Sequence, residues 1–180
     1  MSARLRAEDW TFDTPRLHIR PLAAADQQLY AELYSDPETM RYIGAPLTRQ
    51  RAERSFRKLL GSDPSSAAGL VLAIVERATG HAIGLCSVQN IDLSSSTAEA
   101  GIILRAQARS RGYSREGLGA VVEHAFRTLQ LREVWVQISA DYAIVRRLVA
   151  SVGFTRCDGR ADGAPRVEVW RRRRTDGRDS

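Results

Sequence analysis

The sequence predicts an α/β domain in which helices cover both faces of a mixed, mostly antiparallel sheet. Three observations predict it. Segments of alternating apolar and polar residues recur along the chain with turn signals between them, three of them in succession between residues 70 and 105. Two later segments carry apolar residues at helical spacing, and each is followed by another strand-like segment. With 180 residues, 43% of them hydrophobic, the chain supplies one core, so a single domain over 1–180 is expected, its core at about 14–172 between short polar tails.

Leu17-His18-Ile19-Arg20 alternates and stops at Pro21, which predicts a short half-buried strand. Asp26 is the expected cap of a helix whose Leu29, Tyr30, Leu33 and Tyr34 share a face. Asp36-Pro37 repeats the start signal, and Thr48 opens a third helix with Ala52, Phe56, Leu59 and Leu60 as its stripe, ended by Gly61 and Asp63-Pro64. Residues 62–69 are a loop by composition. Strands are then expected over Leu70–Glu76, Ile83–Ile91 and Ala98–Arg105, joined by turns at Thr79-Gly80 and Ser94-Ser95-Ser96 into an antiparallel meander. Leu118, Val121, Val122, Ala125, Phe126 and Leu129 trace the clearest helix of the chain. A strand at Val134–Ile138, a helix through Ile144, Val145, Leu148, Val149 and Val152 ending at Gly153, and a strand at Val167–Trp170 complete the order. The arginine run from 171 to 178 reads as a solvated terminus.

The formal charge is +6, and Lys58 is the only lysine. A nearly all-arginine balance is weak evidence for a nucleic-acid partner, and Trp10, Trp135 and Trp170 form no stacking series, so nucleic acid is not expected. Cys86 and Cys157 are isolated, and His18, His81 and His124 have no ligand spacing, so neither a metal site nor a disulfide is predicted. His124 falls on the polar side of its helix and is expected to be solvated. The charged N-terminus and the absence of a run near 20 apolar residues lead to the expectation of a cytoplasmic protein without a membrane span.

Between the third meander strand and the long helix stands QARSRGYSREG, residues 107–117. A small-residue loop entering a helix directs unpaired N–H groups, and the positive end of the helix dipole, at one point. Arg109 and Arg111 add charge at the rim and Gly112 permits close approach, the composition of an anion cradle. Neither a nucleotide P-loop nor a dinucleotide fingerprint is present.

The stretch Gln107-Ala108-Arg109-Ser110-Arg111-Gly112 resembles the [QR]-x-x-G-x-[GA] loop of the GCN5-related N-acetyltransferase (GNAT) family, matching at Gln107 and Gly112. TPRLHIRPL at 14–22, SDPETMRYIG at 35–44, IGLCSV at 83–88, AEAGIIL at 98–104, RGYSREGL at 111–118 and RRLVASVGF at 146–154 are similar to the branch that acetylates N-terminal amines of ribosomal proteins. The resemblance implies the GNAT fold, with a splayed strand pair for acetyl-CoA and direct attack of an amine on the thioester in a ternary complex. Homodimers are common in that family. By this likeness the backbone of Ile103, Leu104 and Arg105 meets the pantetheine arm, and the N–H groups of Arg109, Ser110, Arg111, Gly112, Tyr113 and Ser114 hold the pyrophosphate.

Glu99, ahead of the splayed section and on one face with Gly101 and Ile103, is the expected general base, with a structural carboxylate as its other reading. Where the family pattern has D-N-x-x-S, this chain has Asp141-Tyr142-Ala143-Ile144-Val145, so the usual serine acid is absent. Tyr142 either donates a proton to the leaving thiolate or packs over the coenzyme. Loss of the family Asn and Ser motivates an alternative, a non-catalytic acyl-CoA-binding or interaction module. Ser110 stands where glycine is usual, which suits a loop whose φ there stays negative. The amine acceptor, a protein N-terminus or a small molecule, is expected between residues 30–57 and 156–167, with Tyr42 as a wall.

Overall fold

The computed structural model describes residues 6–61, 69–157 and 167–175. Eight strands form one sheet: β1 (Phe12–Asp13), β2 (Leu17–Pro21), β3 (Gly69–Glu76), β4 (Ala82–Asp92), β5 (Thr97–Leu104), β6 (Glu133–Ser139), β7 (Thr155–Arg156) and β8 (Val167–Arg173). Five helices accompany them: α1 (Gln27–Ser35), α2 (Pro37–Met40), α3 (Arg49–Leu60), α4 (Tyr113–Leu129) and α5 (Ala143–Ser151). The order across the sheet is β1-β2-β3-β4-β5-β6-β8-β7, antiparallel throughout except where β5 meets β6. A parallel pair needs a crossover, and α4 supplies it.

The six predicted strands are present within a few residues, and so is the meander. The two-residue strands β1 and β7 are additions that no alternation pattern of such length announces. Both α2 and α3 start as expected: the Asp36 carboxylate accepts from Thr39 N–H with Pro37 next to it, and Thr48 Oγ1 accepts from Arg51 N–H. Asp26 differs. It is buried, accepts from Ala23 N–H at 2.8 Å and takes the Arg20 guanidinium at 2.7 and 2.9 Å, so it ties β2 to the turn before α1 rather than capping α1.

One face of the sheet packs on α1 and α3 through Leu29, Tyr30, Leu33, Ala52, Phe56 and Leu85. The other packs on α4, whose predicted stripe from Leu118 to Leu129 is entirely buried. Each large aliphatic or aromatic side chain so buried contributes about 1.5–3 kcal/mol. The α5 stripe is only partly core: Val149 and Val152 are buried, while Ile144 is 70% exposed.

Two polar expectations change. Arg171, Arg172 and Arg173 are not a solvated tail; they are the end of β8, in register with Trp135, Val134 and Glu133. Arg171 and Arg173 flank the Glu133 carboxylate at 3.4 and 3.3 Å, and Arg172 pairs with Glu123 on α4. His124 is not free in solvent. Its ring stacks on Phe12 at 4.1 Å and its Nε2 meets the Asp9 carbonyl at 2.6 Å, which pins the N-terminal segment onto α4.

Gly84 decides how closely β4 and β5 approach. A Cβ there would overlap the Ile103 carbonyl and the Leu104 side chain. Gly84→Ala is therefore expected to destabilise the protein by at least about 2 kcal/mol in urea unfolding, because the obstacle includes backbone that cannot rotate away.

Candidate active site

β5 and β6 part early. Thr97, Ala98 and Glu99 are in register with Glu133, Val134 and Trp135, and pairing stops there although the strands continue to Leu104 and Ser139. Beyond Glu99 one edge of β5 stays bonded to β4 and the other is open. Arg105 N–H donates to the Ile83 carbonyl on β4 at 2.9 Å. By alternation the backbone of Ile103 faces β4 too, and that of Ile102 and Leu104 faces the open edge.

A cleft of about 350 Å³ occupies this fork. Tyr34, Tyr42, Gln89, Glu99 and Ile103 line it together with Leu118 of α4 and Val145 and Leu148 of α5. The Tyr42 and Tyr142 rings stack with centroids 4.2 Å apart, joining the segment after α2 to the N-terminus of α5. Glu99 is half-buried and accepts from Asn90 Nδ2 at 2.6 Å. Burial pushes its carboxyl up from the ordinary value, and the Asn90 hydrogen bond partly opposes that.

The loop after β5 makes one 3₁₀ turn, Ala106–Ala108, and enters α4 through Gly112. No side chain caps α4, and among the described residues no acceptor meets the N–H groups of 110–115. Such a set of converging donors at a helix N-terminus fits a phosphate. Beneath it, Glu116 accepts from Thr14 Oγ1 at 2.6 Å, Arg16 N–H at 2.9 Å and Arg16 Nε at 2.7 Å, while Arg16 Nη1 donates to the Arg111 carbonyl at 2.9 Å. Buried Glu76 accepts from the Tyr113 hydroxyl and from Thr79 at 2.8 Å, with Arg111 at 3.4 Å. The Tyr113 bond above all, then the Thr79 bond, hold the Glu76 carboxyl below its ordinary value.

Of the expected residues, Glu99, Ile103 and Tyr142 line the cleft, while Leu104 ends β5 and Arg105 and residues 109–114 lie in the loop and helix start beyond it, outside the cleft's lining. Arg109 does not stand on the rim: Nε donates to the Leu104 carbonyl at 3.1 Å and Nη2 to Thr39 Oγ1 at 2.6 Å, which ties the loop to α2. Arg105 is engaged by Glu32 at 2.7 Å. Tyr113 is a buried anchor, Ser114 is half-buried, and Arg111 and Gly112 are exposed. Ser110 has φ 60°, in the left-handed region, contrary to the negative φ expected of a serine there; Gly112 has φ 81°. Arg16, Glu76, Asn90 and Glu116 were not singled out by sequence. Arg16 and Glu116 lie inside the matched TPRLHIRPL and RGYSREGL stretches, the one signal that could have found them. Residues 158–166 of the expected acceptor wall lie outside the described residues.

An open strand edge thus leads to an uncapped helix N-terminus suited to a phosphate, and a half-buried carboxylate lies in the fork beside that edge. The chain belongs to the acetyltransferase (GNAT) domain family, whose model matches residues 16–155. It is accordingly an N-acetyltransferase with acetyl-CoA as co-substrate. It is 23% identical over 145 residues, 80% of this chain and 82% of the other, to the uncharacterized N-acetyltransferase p20 of Bacillus licheniformis. Its fold matches spermidine N-acetyltransferase from Vibrio cholerae in complex with CoA and spermine, with TM-score 0.73, 18% identity, and 88% and 94% of the two chains covered. It also matches ribosomal-protein-S5-alanine acetyltransferase from Vibrio fischeri, with TM-score 0.75, 14% identity, and 92% and 97% covered. Among the described residues no helix is long and apolar enough to cross a membrane, and no group of three His, Cys, Asp or Glu is placed to hold a metal ion.

The positive φ of Ser110 costs about 1 kcal/mol that glycine avoids. Ser110→Gly should raise stability by up to about 1 kcal/mol in thermal unfolding. Coenzyme affinity, read by titration calorimetry, should change less than about threefold, because serine and glycine offer the same backbone N–H. Glu76 gives a pH test. Its carboxyl titrates lower in the folded chain than in the unfolded one, so its contribution is complete above the ordinary value of 4.5 and lost as pH falls through the folded value. In urea unfolding the gap between wild type and Glu76→Gln should be widest near neutral pH and narrow below 4.5.

Proposed function

We propose that the chain acetylates a primary amine that enters the fork beside Glu99, with the coenzyme pyrophosphate on the N–H groups of residues 110–115. The observation that carries this is the open β5 edge, which lines the cleft with the half-buried Glu99 carboxylate and leads through the loop after β5 to the uncapped α4 N-terminus. On the open edge, the backbone of Ile102 and the N–H of Leu104 can pair with the pantetheine arm, the Leu104 carbonyl being taken by Arg109; of the Ile103, Leu104 and Arg105 set suggested by the family likeness this keeps Leu104 and adds Ile102. An N–H there polarises the thioester carbonyl, as an oxyanion donor does.

Glu99, directly or through a water, takes a proton from the amine as nitrogen attacks the carbonyl carbon. The new C–N bond forms, the tetrahedral oxyanion collapses, and the C–S bond breaks. Tyr142 lines the same cleft, and its phenol is the group we assign to protonating the thiolate. Glu99 lines the cleft and burial raises its carboxyl, the direction that suits a general base, and the family match supports catalysis over the binding-only alternative. Two acceptor classes fit the cleft: a protein N-terminus, which the sequence motifs favour, and a small amine, of which the spermidine enzyme is a structural example. Thiol release with peptide N-termini and small amines measured side by side decides between them. Release no faster than the blank across the whole panel contradicts the proposal.

Glu99→Gln should lower kcat/KM by about a hundredfold and leave acetyl-CoA affinity intact. Tyr142→Phe keeps the ring stack on Tyr42 and removes only the phenolic proton. Turnover should fall about tenfold with coenzyme Kd unchanged; unchanged turnover would assign Tyr142 to packing alone.

A further inference from the structure

We propose that Asn90 is a positioning residue for the acetyl transfer: its carboxamide holds the Glu99 carboxylate in place at the cleft. This rests on the assignment of Glu99 as base.

The geometry comes from an irregularity in β4. Gln89 is in register with Glu99 and Asp92 with Thr97, so β4 spends three steps where β5 spends two. The extra residue makes a bulge, a feature that re-aims a side chain beside a site. In an unbroken ladder the residue after Gln89 would share the face of Ala98, which is buried, and would point away from Glu99. The bulge instead brings Asn90 Nδ2 to 2.6 Å from Glu99 Oε2.

The backbone supports the same reading. Asn90 has φ 49°, where a non-glycine residue costs about 1 kcal/mol. Glycine would relieve that cost; asparagine is among the few side chains that visit the region readily, and it alone of the two brings an amide donor.

The amide donates to the ionised carboxylate and opposes the upward push of burial on Glu99. Charged neighbours do not confuse the test. Among the described residues lining the cleft, Glu99 is the only one with a charged side chain; the other titratable ones are Tyr34, Tyr42, Cys86 and Tyr142. Burial pushes both Tyr34 and Cys86 up to about 12, so they stay neutral through the working range. Across the strands, Glu99 is in register with Gln89 and Trp135, neither of which titrates.

The experiment is a graded series at position 90. Asn90→Gly keeps the backbone and deletes the donor; Asn90→Asp keeps the size and replaces the donor with a like charge. With one acceptor amine held constant, the acidic limb of the kcat/KM profile should move to higher pH in the order wild type, glycine, aspartate. On the acidic limb the glycine variant should be on the order of threefold slower than wild type, and the difference should vanish on the plateau at higher pH. The Glu99 carboxyl is titrated directly in parallel by ¹³C NMR of the same variants. A Glu99 titration that follows the order while the rate limb stays fixed overturns Glu99 as base and with it the role of Asn90 in the transfer, leaving only the contact between them. A Glu99 titration identical in all three proteins overturns the role of Asn90, whatever the rates do.

Discussion

The site depends on one failure of hydrogen bonding: β5 and β6 stop pairing after Glu99 and Trp135. A strand edge left open inside a sheet would ordinarily be a liability, since each backbone N–H and C=O there lacks a partner. Here we propose that it serves as a binding surface. From Glu99 to Leu104 the β4 side of β5 remains laddered, with Gly84 letting the strands close up, so the open edge is presented by a paired strand. Because α4 crosses over from β5 to β6, its N-terminus necessarily lies at the end of that same edge.

Several charged residues that resemble ligand-binding groups are instead occupied in keeping this arrangement in place. Arg16 and Glu116 clamp the start of β2 to the first turn of α4, and Glu76 with Tyr113 fastens that turn to the end of β3. Arg109 joins the Leu104 carbonyl to Thr39, whose hydroxyl donates to Asp36, the cap of α2. Through α2 the coenzyme loop is thus connected to Tyr42, half of the aromatic pair at the cleft. On the proposed reading the donors for phosphate are backbone N–H groups, so side-chain identity in QARSRGYSREG can depart from the family pattern without removing them.

Much of the fold was legible in the sequence because strong periodicity survives tertiary packing. The α4 stripe, the meander and the Asp36 and Thr48 caps were predicted where they stand. What escaped notice is long-range or too short to have a period. β1 and β7 have two residues each, Arg171–Arg173 look like a tail until β6 supplies Glu133, and His124 looks solvated until Phe12 covers it. At the site, Glu99 could be found from its alternation with Gly101 and Ile103, but Asn90 could not, since the bulge that aims it shifts the register of β4. Ser110 misled for a related reason: nothing in its type announces a left-handed backbone, which the entry into α4 imposes.

The central claim, that the open edge and the uncapped helix start together receive acetyl-CoA, is tested most directly by amide hydrogen exchange with and without the coenzyme. New protection is expected at residues 110–115 and at Ile102 and Leu104, with little change at Ile103, whose backbone already faces β4. Protection that leaves these amides unchanged while appearing elsewhere on the surface would contradict it.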